Sequence, residues 1–164
     1  MTNFRDIYKR HSQDVYRFCF WLTGDHHEAE DLTSETFVRV WASADSLRLP
    51  TVKAYLLTIA KNLYLNTRRR SQPQVRLHEG RKLATRSLDP EQRASGRAEL
   101  EEVLRALDRL SEVDRAALLM RAVEQLPYDE IAQALKVSPV AARVRVHRAR
   151  RRLLNITEER RRKR

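Results

Sequence analysis

The chain has 164 residues, with 33 Lys and Arg against 22 Asp and Glu, and a formal net charge of +11. Its 3 Gly and 5 Pro are too few for the frequent turns of a β-sandwich or barrel, and its single Cys excludes a disulfide framework or a Cys-based zinc site. Because no apolar stretch reaches the length of about 18 residues that spans a bilayer, we expect a cytoplasmic, helical protein that does not insert into membranes and has an affinity for polyanions.

Three amphipathic helices are predicted in the first 70 residues. In each of them apolar side chains recur three or four positions apart, over residues 3–22, 26–41 and 51–70. Gly24 ends the first helix, and Asp25, three residues before Glu28, forms a capping box that begins the second. Thr51 caps the third helix, which follows a loop over residues 42–50.

The hydrophobic periodicity is lost between residues 71 and 98. Pro73, Gly80, Pro90 and Gly96 fall in this stretch, which makes half of the chain's Gly and Pro residues. The pattern predicts a flexible linker over 71–98 that contains the domain boundary.

Four more helices are predicted from Glu99 onward. Ser111 caps the second of them, and a short third helix covers residues 128–135. Ser138 followed by Pro139 is a strong start signal for the fourth, which we expect to end near Asn155. The basic tail, 158–164, is expected to fray.

The predicted fold is therefore all-α, with two small helical domains joined by a flexible linker. The predicted segments are an N-terminal domain, the linker, a C-terminal domain and a basic tail, at 1–70, 71–98, 99–157 and 158–164. Charge alternates along them: −3, +6, −5 and +10 for residues 1–47, 48–72, 99–135 and 136–164. An acidic block followed by a basic block thus occurs twice, which indicates two modules that each offer one face to a polyanion and one to another partner.

The C-terminal domain contains the pattern of a helix-turn-helix. A short helix that places Ile131 and Ala132 inward is followed by a three-residue turn and an Arg-rich helix. On that last helix one face carries Arg143, Val144, His147 and Arg148. Arg can bond guanine bidentately, and apolar side chains can meet a thymine methyl group. The alternative is a basic, solvated helix that only packs on its own domain.

The C-terminal domain contains the segment EQLPYDEIAQALKVSPVAARVRVHRARRRL, and the N-terminal domain contains HHEAEDLTSETFVRVW and AYLLTIAKNLYLNTRRR. These segments resemble the second and the first conserved domains, respectively, of bacterial σ factors of the extracytoplasmic-function group. The motifs stand in the family's order and spacing, and they cover nearly the whole chain apart from 71–98 and the tail. The resemblance implies a promoter-recognition subunit of RNA polymerase that performs no chemistry and needs no cofactor or metal.

The resemblance also implies where the partners bind. The second helix would contact the clamp helices of the polymerase's largest subunit through Glu30, Asp31, Leu32, Glu35, Thr36 and Arg39. The acidic helices of the C-terminal domain would meet the polymerase flap. An anti-σ protein, often membrane-bound in this family, would regulate the factor by clamping its two domains together or holding them apart, so that both DNA-binding faces are hidden.

Two DNA-binding sets follow from the same resemblance. The promoter −10 element would be read and opened by a loop and the third helix, through Asp45, Ser46, Leu47, Arg48, Lys53, Tyr55, Thr58, Lys61, Asn62 and Asn66. Opening requires an unstacked base to be caught outside the duplex. The −35 element would be read by Arg143, Val144, His147 and Arg148, with Arg145 and Arg150 as phosphate partners.

The chain departs from the family pattern at several positions. Gln125 and Lys136 stand where the family has Gly, and Pro127 replaces an N-cap Ser. A residue with a Cβ at Lys136 must then occupy what is often a positive-φ position. Ser34 and Tyr55 replace the family's Gln and Trp in the N-terminal domain.

Other functions fit the sequence less well. A stand-alone helix-turn-helix regulator is the main alternative, but residues 1–70 have a basic third helix where a sensor domain would be expected. A basic enzyme such as a nuclease lacks candidate catalytic residues. His26 and His27 are interpreted as capping and solvated residues rather than metal ligands, and Cys19 as buried and inert. Trp21 and Trp41 are interpreted as core or interface packing residues rather than ligand cages.

Overall fold

The computed structural model describes residues 3–43, 51–70 and 90–164. Seven α-helices and no strand occur within these ranges, so the predicted all-α class is confirmed. The helices are α1 (Phe4–Thr23), α2 (His26–Ala42), α3 (Val52–Arg70), α4 (Pro90–Asp108), α5 (Glu112–Ala122), α6 (Tyr128–Leu135) and α7 (Pro139–Arg162). We call α1–α3 the N-terminal module and α4–α7 the C-terminal module. The predicted loop residues Asp45, Ser46, Leu47 and Arg48, and linker residues 71–89, lie outside the described residues.

The predicted helix signals are found as hydrogen-bonded caps. Asp25 accepts a hydrogen bond from the Glu28 amide at 3.0 Å, which is one half of the predicted capping box. The Asp25 amide donates to the Thr23 hydroxyl at 3.2 Å, and the Glu28 carboxylate accepts from Arg68. Gly24 takes the left-handed conformation, with φ of 70°, that ends α1. Three hydroxyls accept bonds from amides three residues later in the same way, those of Thr51, Ser111 and Ser138. Each satisfies an N–H group that the helix itself leaves without a partner.

Two helix ends differ from the prediction. Helix α4 begins at Pro90, inside the stretch predicted as linker, because proline is well tolerated at the first position of a helix. Gly96 lies within α4, where a Cβ would meet no atom within 4 Å, so it marks an exposed helical position rather than a turn. Helix α7 continues to Arg162 instead of ending near Asn155, and the predicted frayed tail is helical over most of its length.

The two modules share one hydrophobic core. Helices α1, α2 and α3 pack around buried residues such as Phe18, Leu22 and Leu57, and α5, α6 and α7 pack around Met120, Ile131 and Val146. Helices α1 and α3 also contact α5 and α6, so the buried side chains of both modules form a single continuous cluster. The modules are therefore closed onto each other in this structure.

Two residues with a Cβ occupy the left-handed backbone region. Gln125 has φ of 57° and Lys136 has φ of 56°, at the two positions where glycine was expected from the resemblance. The expectation for Lys136 is confirmed, and Gln125 adopts the same conformation. Lys136 ends α6, and Gln125 follows the turn in which the Glu124 amide bonds the Leu119 carbonyl. This conformation costs roughly 1 kcal/mol or more for a residue other than glycine.

Candidate DNA and protein interfaces

Helix α7 presents its predicted base-reading face to solvent. Ser138 and Pro139 start α7, and Ala142, Val146 and Ala149 bury the opposite face against α5 and α6. The predicted side chains Arg143, Val144, His147 and Arg148 are all exposed, and so is Arg150. Val140, at 73% exposure, extends this surface toward the start of the helix and was not predicted. The face is long and basic enough to lie in a major groove.

Tyr128 lies beside the base of this face. The Arg143 guanidinium carbon is 5.1 Å from the centre of the Tyr128 ring, and that of Arg121 is 4.5 Å away. Such cation–π contacts hold a guanidinium over an aromatic ring at a preferred orientation. Tyr128 therefore limits the rotamers available to Arg143 and was missed in the sequence, where only its helix was predicted.

Arg145 points away from the base-reading face. Its Nη1 donates to Asp114 Oδ1 at 2.8 Å, which ties α7 to the first turn of α5. It lies two residues, or about 200°, from Arg143 on the helix, which explains the separation. The predicted phosphate role of Arg145 would require this ion pair to open.

The predicted −10 residues of α3 divide between two faces. Tyr55, Thr58, Asn62 and Asn66 lie within about 80° of one another around the helix, and Asn62 and Asn66 are exposed. Tyr55 is half-buried, with its hydroxyl 3.2 Å from Ser43 Oγ, and the Thr58 hydroxyl donates to the Ala54 carbonyl at 2.7 Å. The structure therefore brings these four together.

Lys53 and Lys61 lie on the other side of α3, against the C-terminal module. Lys53 Nζ is 3.0 Å from Glu124 Oε2 and donates to the Glu124 carbonyl at 3.1 Å. Lys61 is buried and donates to the Ala134 carbonyl, in the last turn of α6, at 2.7 Å. Burial, with a smaller contribution from Lys136, lowers the pKa of Lys61 below its usual value. In the closed arrangement both ammonium groups are bonded to the C-terminal module.

Glu124 of the C-terminal module binds two cations of the N-terminal module, Arg17 and Lys53. Its side chain is fully buried, and its two carboxylate oxygens accept bonds from Arg17 Nε at 2.8 Å and Nη2 at 2.9 Å. This bidentate pair raises the pKa of Arg17. Arg17 also bonds Asp14 on its own helix at 2.8 Å. The sequence shows no signal for this pair, because 107 residues separate its members.

Arg115 bridges the same two modules at a second point. It is only 2% exposed, and its Nη1 donates to the Leu22 carbonyl at 2.8 Å and to the Tyr64 hydroxyl at 2.9 Å. Its Nε donates to the Leu107 carbonyl at 2.9 Å, and Asp108 is 3.3 Å away. In the sequence Arg115 is one basic residue among acidic ones, and its role was missed.

The predicted polymerase-binding residues of α2 are partly exposed and partly buried. Glu30, Asp31, Glu35 and Arg39 are exposed, and Arg39 Nε donates to Glu35 Oε1 at 3.2 Å. Leu32 is 7% exposed, and the buried Thr36 hydroxyl donates to the Leu32 carbonyl at 2.7 Å. The structure thus offers the four charged residues to a partner and directs Leu32 and Thr36 into the core.

An apolar patch continues this acidic face. Trp41 is 70% exposed, Val38 is 57% exposed and Tyr8 is 49% exposed. Phe4 stacks on Trp41 with ring centres 5.9 Å apart, and Tyr8 meets Phe37 edge-on at 4.9 Å. Exposed aromatic side chains beside charged ones are typical of protein-binding surfaces. Of the two roles considered for Trp41, core or interface packing, its exposure excludes the core.

Cys19, His26 and Trp21, which were also considered from the sequence, make contacts within the N-terminal module. Cys19 is fully buried, and burial raises the pKa of its thiol to about 12. His26 stacks on Phe20, with ring centres 4.8 Å apart, and its Nδ1 bonds the Tyr16 hydroxyl. Trp21 is half-buried and meets Phe20 edge-on.

In the described part of the chain, no helix combines the length and apolar character that crossing a bilayer requires.

Comparison with known protein families matches residues 7–74 to sigma-70 region 2 and residues 100–153 to sigma-70 region 4. The first range contains α2, α3 and all but the first three residues of α1, and the second contains most of the residues of α4–α7.

Curated relatives agree with the family match. The chain is 32% identical over 157 residues to the ECF RNA polymerase sigma factor SigE of Mycolicibacterium smegmatis, covering 93% of this chain and 61% of that protein. It is 30% identical to the ECF RNA polymerase sigma factor SigM of Bacillus subtilis, covering 90% of this chain and 91% of that protein.

Solved structures are similar over both modules. The sigma factor RpoE in complex with the anti-sigma factor NepR from Bartonella quintana has a TM-score of 0.75 and 26% identity, covering 96% of this chain and 98% of that one. CnrH in complex with the cytosolic domain of CnrY shares the fold, with a TM-score of 0.71 and 22% identity over 95% of this chain and 88% of that one. Because both modules match sigma-70 regions and the curated relatives are ECF sigma factors, this chain belongs to the extracytoplasmic-function group of sigma-70 family RNA polymerase sigma factors.

Proposed function

We propose that this chain binds RNA polymerase core and directs it to promoters, reading the −35 element with α7 and the −10 element with α3. It acts as an adaptor in the cytoplasm, where polymerase and promoter DNA are found, and catalyses no reaction itself. The family membership and the placement of the exposed residues support this proposal.

The observation that carries the proposal is the surface of α2. A factor that only bound DNA would need the basic face of α7 and no second exposed face. Here Glu30, Asp31 and Glu35 are exposed on α2 next to the 70% exposed Trp41. An acidic surface with an aromatic neighbour suits a protein partner with basic and apolar side chains. We infer that this partner is the clamp-helix region of the polymerase.

The DNA-binding part of the proposal divides into reading and opening. Arg143 and Arg148 on α7 can form bidentate bonds to guanine in duplex DNA, because their side chains are exposed on one face. Asn62 and Asn66 on α3 can bond the edges of an unstacked base, with Tyr55 beside them. The acidic helices α4 and α5 are proposed to meet the polymerase flap.

Reconstituted transcription tests the proposal. Purified chain is mixed with σ-free core polymerase and a library of promoter fragments, and transcripts are sequenced to find their start sites. We expect initiation at fragments that share two short sequence elements. The triple variant Glu30→Lys, Asp31→Lys and Glu35→Lys should lose core binding in a pull-down and keep binding of a −35 duplex. Duplex binding without any complex with core would instead favour a stand-alone helix-turn-helix regulator.

We also propose an anti-σ protein as the regulator of this chain. A similar σ factor was solved with its anti-σ factor, and the likeness extends over both modules of this chain. A protein that binds across α1–α3 and α4–α7 would hold the closed arrangement. The test is to isolate the native complex from cells and add the purified partner to the reconstituted reaction. The proposal requires that the partner abolish initiation and that excess σ factor restore it.

A further inference from the structure

The contact between the modules binds three cations of the N-terminal module, of which Lys61 is buried. Arg17 and Lys53 of the N-terminal module are bonded to the buried Glu124 carboxylate, and Lys61 is bonded to the carbonyl end of α6. The C-terminal end of a helix carries partial negative charge on its unpaired carbonyls. A carboxylate and a helix C-terminus are the same kind of ligand for these cations as the phosphates of a DNA strand would be.

We propose that the C-terminal module is an internal inhibitor of DNA binding by the N-terminal module. Glu124 and the end of α6 take the place of DNA phosphates on Lys53 and Lys61, Arg17 holds the Glu124 carboxylate in this contact, and the contact must open before α3 can hold a −10 strand. The proposal rests on the proposed function in that it concerns the same α3 surface. It assigns the inhibition to the chain itself, so that no other protein is needed for it.

The polar groups at the contact are suited to reversible opening. Arg17, Lys53, Lys61 and Glu124 are charged groups that water solvates well once the modules separate. Arg115 loses its bonds to Leu22 and Tyr64 on opening but retains Leu107 and Asp108 in its own module. The opened C-terminal module therefore keeps its buried arginine satisfied.

The inhibition is unequal between the two DNA-binding faces. Arg143, His147 and Arg148 stay exposed in the closed arrangement, and Lys61 is only 7% exposed. The closed chain can therefore meet duplex DNA through α7, and α3 lacks two of its cations. Opening would raise the positive charge near Asn62 and Asn66, where the strand is held.

Lysine acetylation followed by mass spectrometry tests the closure. The exposed Lys9 is the internal reference for the buried Lys61 in the same molecule. Two variants break the contact from opposite sides and change the net charge in opposite directions, Glu124→Gln and Arg17→Gln. The matched control is Asp6→Asn, at an exposed position in the first turn of α1. Circular dichroism confirms that each variant is folded.

We expect Lys61 to be protected relative to Lys9 in the unaltered chain and in Asp6→Asn. In both contact variants Lys61 acetylation should rise about tenfold relative to Lys9, the equivalent of about 1.4 kcal/mol. Both should also bind a fluorescent 20-nucleotide single strand about tenfold more tightly than the unaltered chain, since apparent affinity rises with the fraction of molecules that are open. Unchanged Lys61 protection would overturn the proposal. So would strand affinities that merely follow net charge, higher for Glu124→Gln and lower for Arg17→Gln.

The same samples separate this proposal from the proposed function. If the unaltered chain initiates transcription with core polymerase and the contact variants show no rise in Lys61 acetylation, only the internal inhibition fails. If the variants open and bind the strand more tightly but the chain never initiates with core, the inhibition stands and the proposed function fails.

Discussion

Replacing Arg115 with Met should cost this protein a large part of its stability. The guanidinium is 2% exposed and donates to the Leu107 and Leu22 carbonyls at 2.9 and 2.8 Å, and to the Tyr64 hydroxyl at 2.9 Å. Leu107 and Leu22 lie in the last turns of α4 and α1, where carbonyls have no partner within the helix. Arg115 is therefore a cap for two helix ends in different modules.

The expected loss in the free energy of unfolding follows from the contacts that Arg115→Met removes. Arg115→Met removes the donor to the buried Leu22 carbonyl and to the Tyr64 hydroxyl, and the cation 3.3 Å from Asp108. The Leu107 carbonyl still accepts from the Leu110 amide at 3.0 Å. Breaking a buried charged contact by removing one partner costs about 3–5 kcal/mol, even though methionine fills much of the volume. For a chain of this size that lowers the melting temperature by about 10 °C. Arg105→Met is the control, since Arg105 is 60% exposed and its surface ion pair with Glu101 contributes under about 1 kcal/mol.

Urea denaturation followed by far-ultraviolet circular dichroism measures both variants. A double-mutant cycle with Tyr64→Phe isolates the bond across the modules, for which we expect a coupling of about 1 kcal/mol. A loss below about 1 kcal/mol for Arg115→Met would refute the reasoning, because a buried cap of two helices cannot contribute so little. Zero coupling with a large loss would restrict its role to the C-terminal module.

Further predictions concern four other sites. Arg148→Ala should relax −35 base preference at one or two positions by about 1–3 kcal/mol in a binding assay with substituted duplexes, and an equal loss on all duplexes would mean a phosphate contact only. Lys136→Gly should raise the free energy of unfolding by about 1 kcal/mol, since φ of 56° then carries no steric cost; a destabilised variant contradicts this. Iodoacetamide should label Cys19 only after unfolding, because burial raises the pKa of the thiol to about 12; rapid labelling of the native chain is the contrary result. Burial lowers the pKa of His11 below 6.5, so the unfolded chain takes up the proton first and stability falls as pH drops through about 6.5; His11→Gln should remove part of that loss in urea titrations at pH 5.5 and 7.5, and identical losses would exclude His11.

Helix starts could be predicted from the sequence where a single capping residue specifies them. Asp25, Ser111 and Ser138 are caps because each lies three residues before an amide that needs an acceptor. Pro90 was misinterpreted because proline both breaks helices and begins them, and only the structure distinguishes the two cases.

For the candidate sites, the sequence predicted which residues share a helix face but not which residues meet between the modules. A helical pattern places Asn62 and Asn66 on one face of α3, and the structure agrees. The same pattern cannot show that Lys53 meets Glu124 or that Lys61 meets Ala134, because these partners are 71 and 73 residues away. Contacts between modules depend on how whole surfaces fit, which periodicity does not encode.

Helix α7 connects the recognition residues to the far side of the C-terminal module. It is continuous over 24 residues, and near its end Arg160 and Arg164 contact Glu102 of α4. A helix of that length is a rod of about 36 Å. A tilt of about 5° around the α4 contact therefore moves the start of the rod by about 3 Å, close to the rise of one base pair along DNA. If α7 reads the −35 element as proposed, the contacts of Arg160 and Arg164 with Glu102 would help to set the position of the base-reading residues on the DNA, although they lie at the opposite end of the helix.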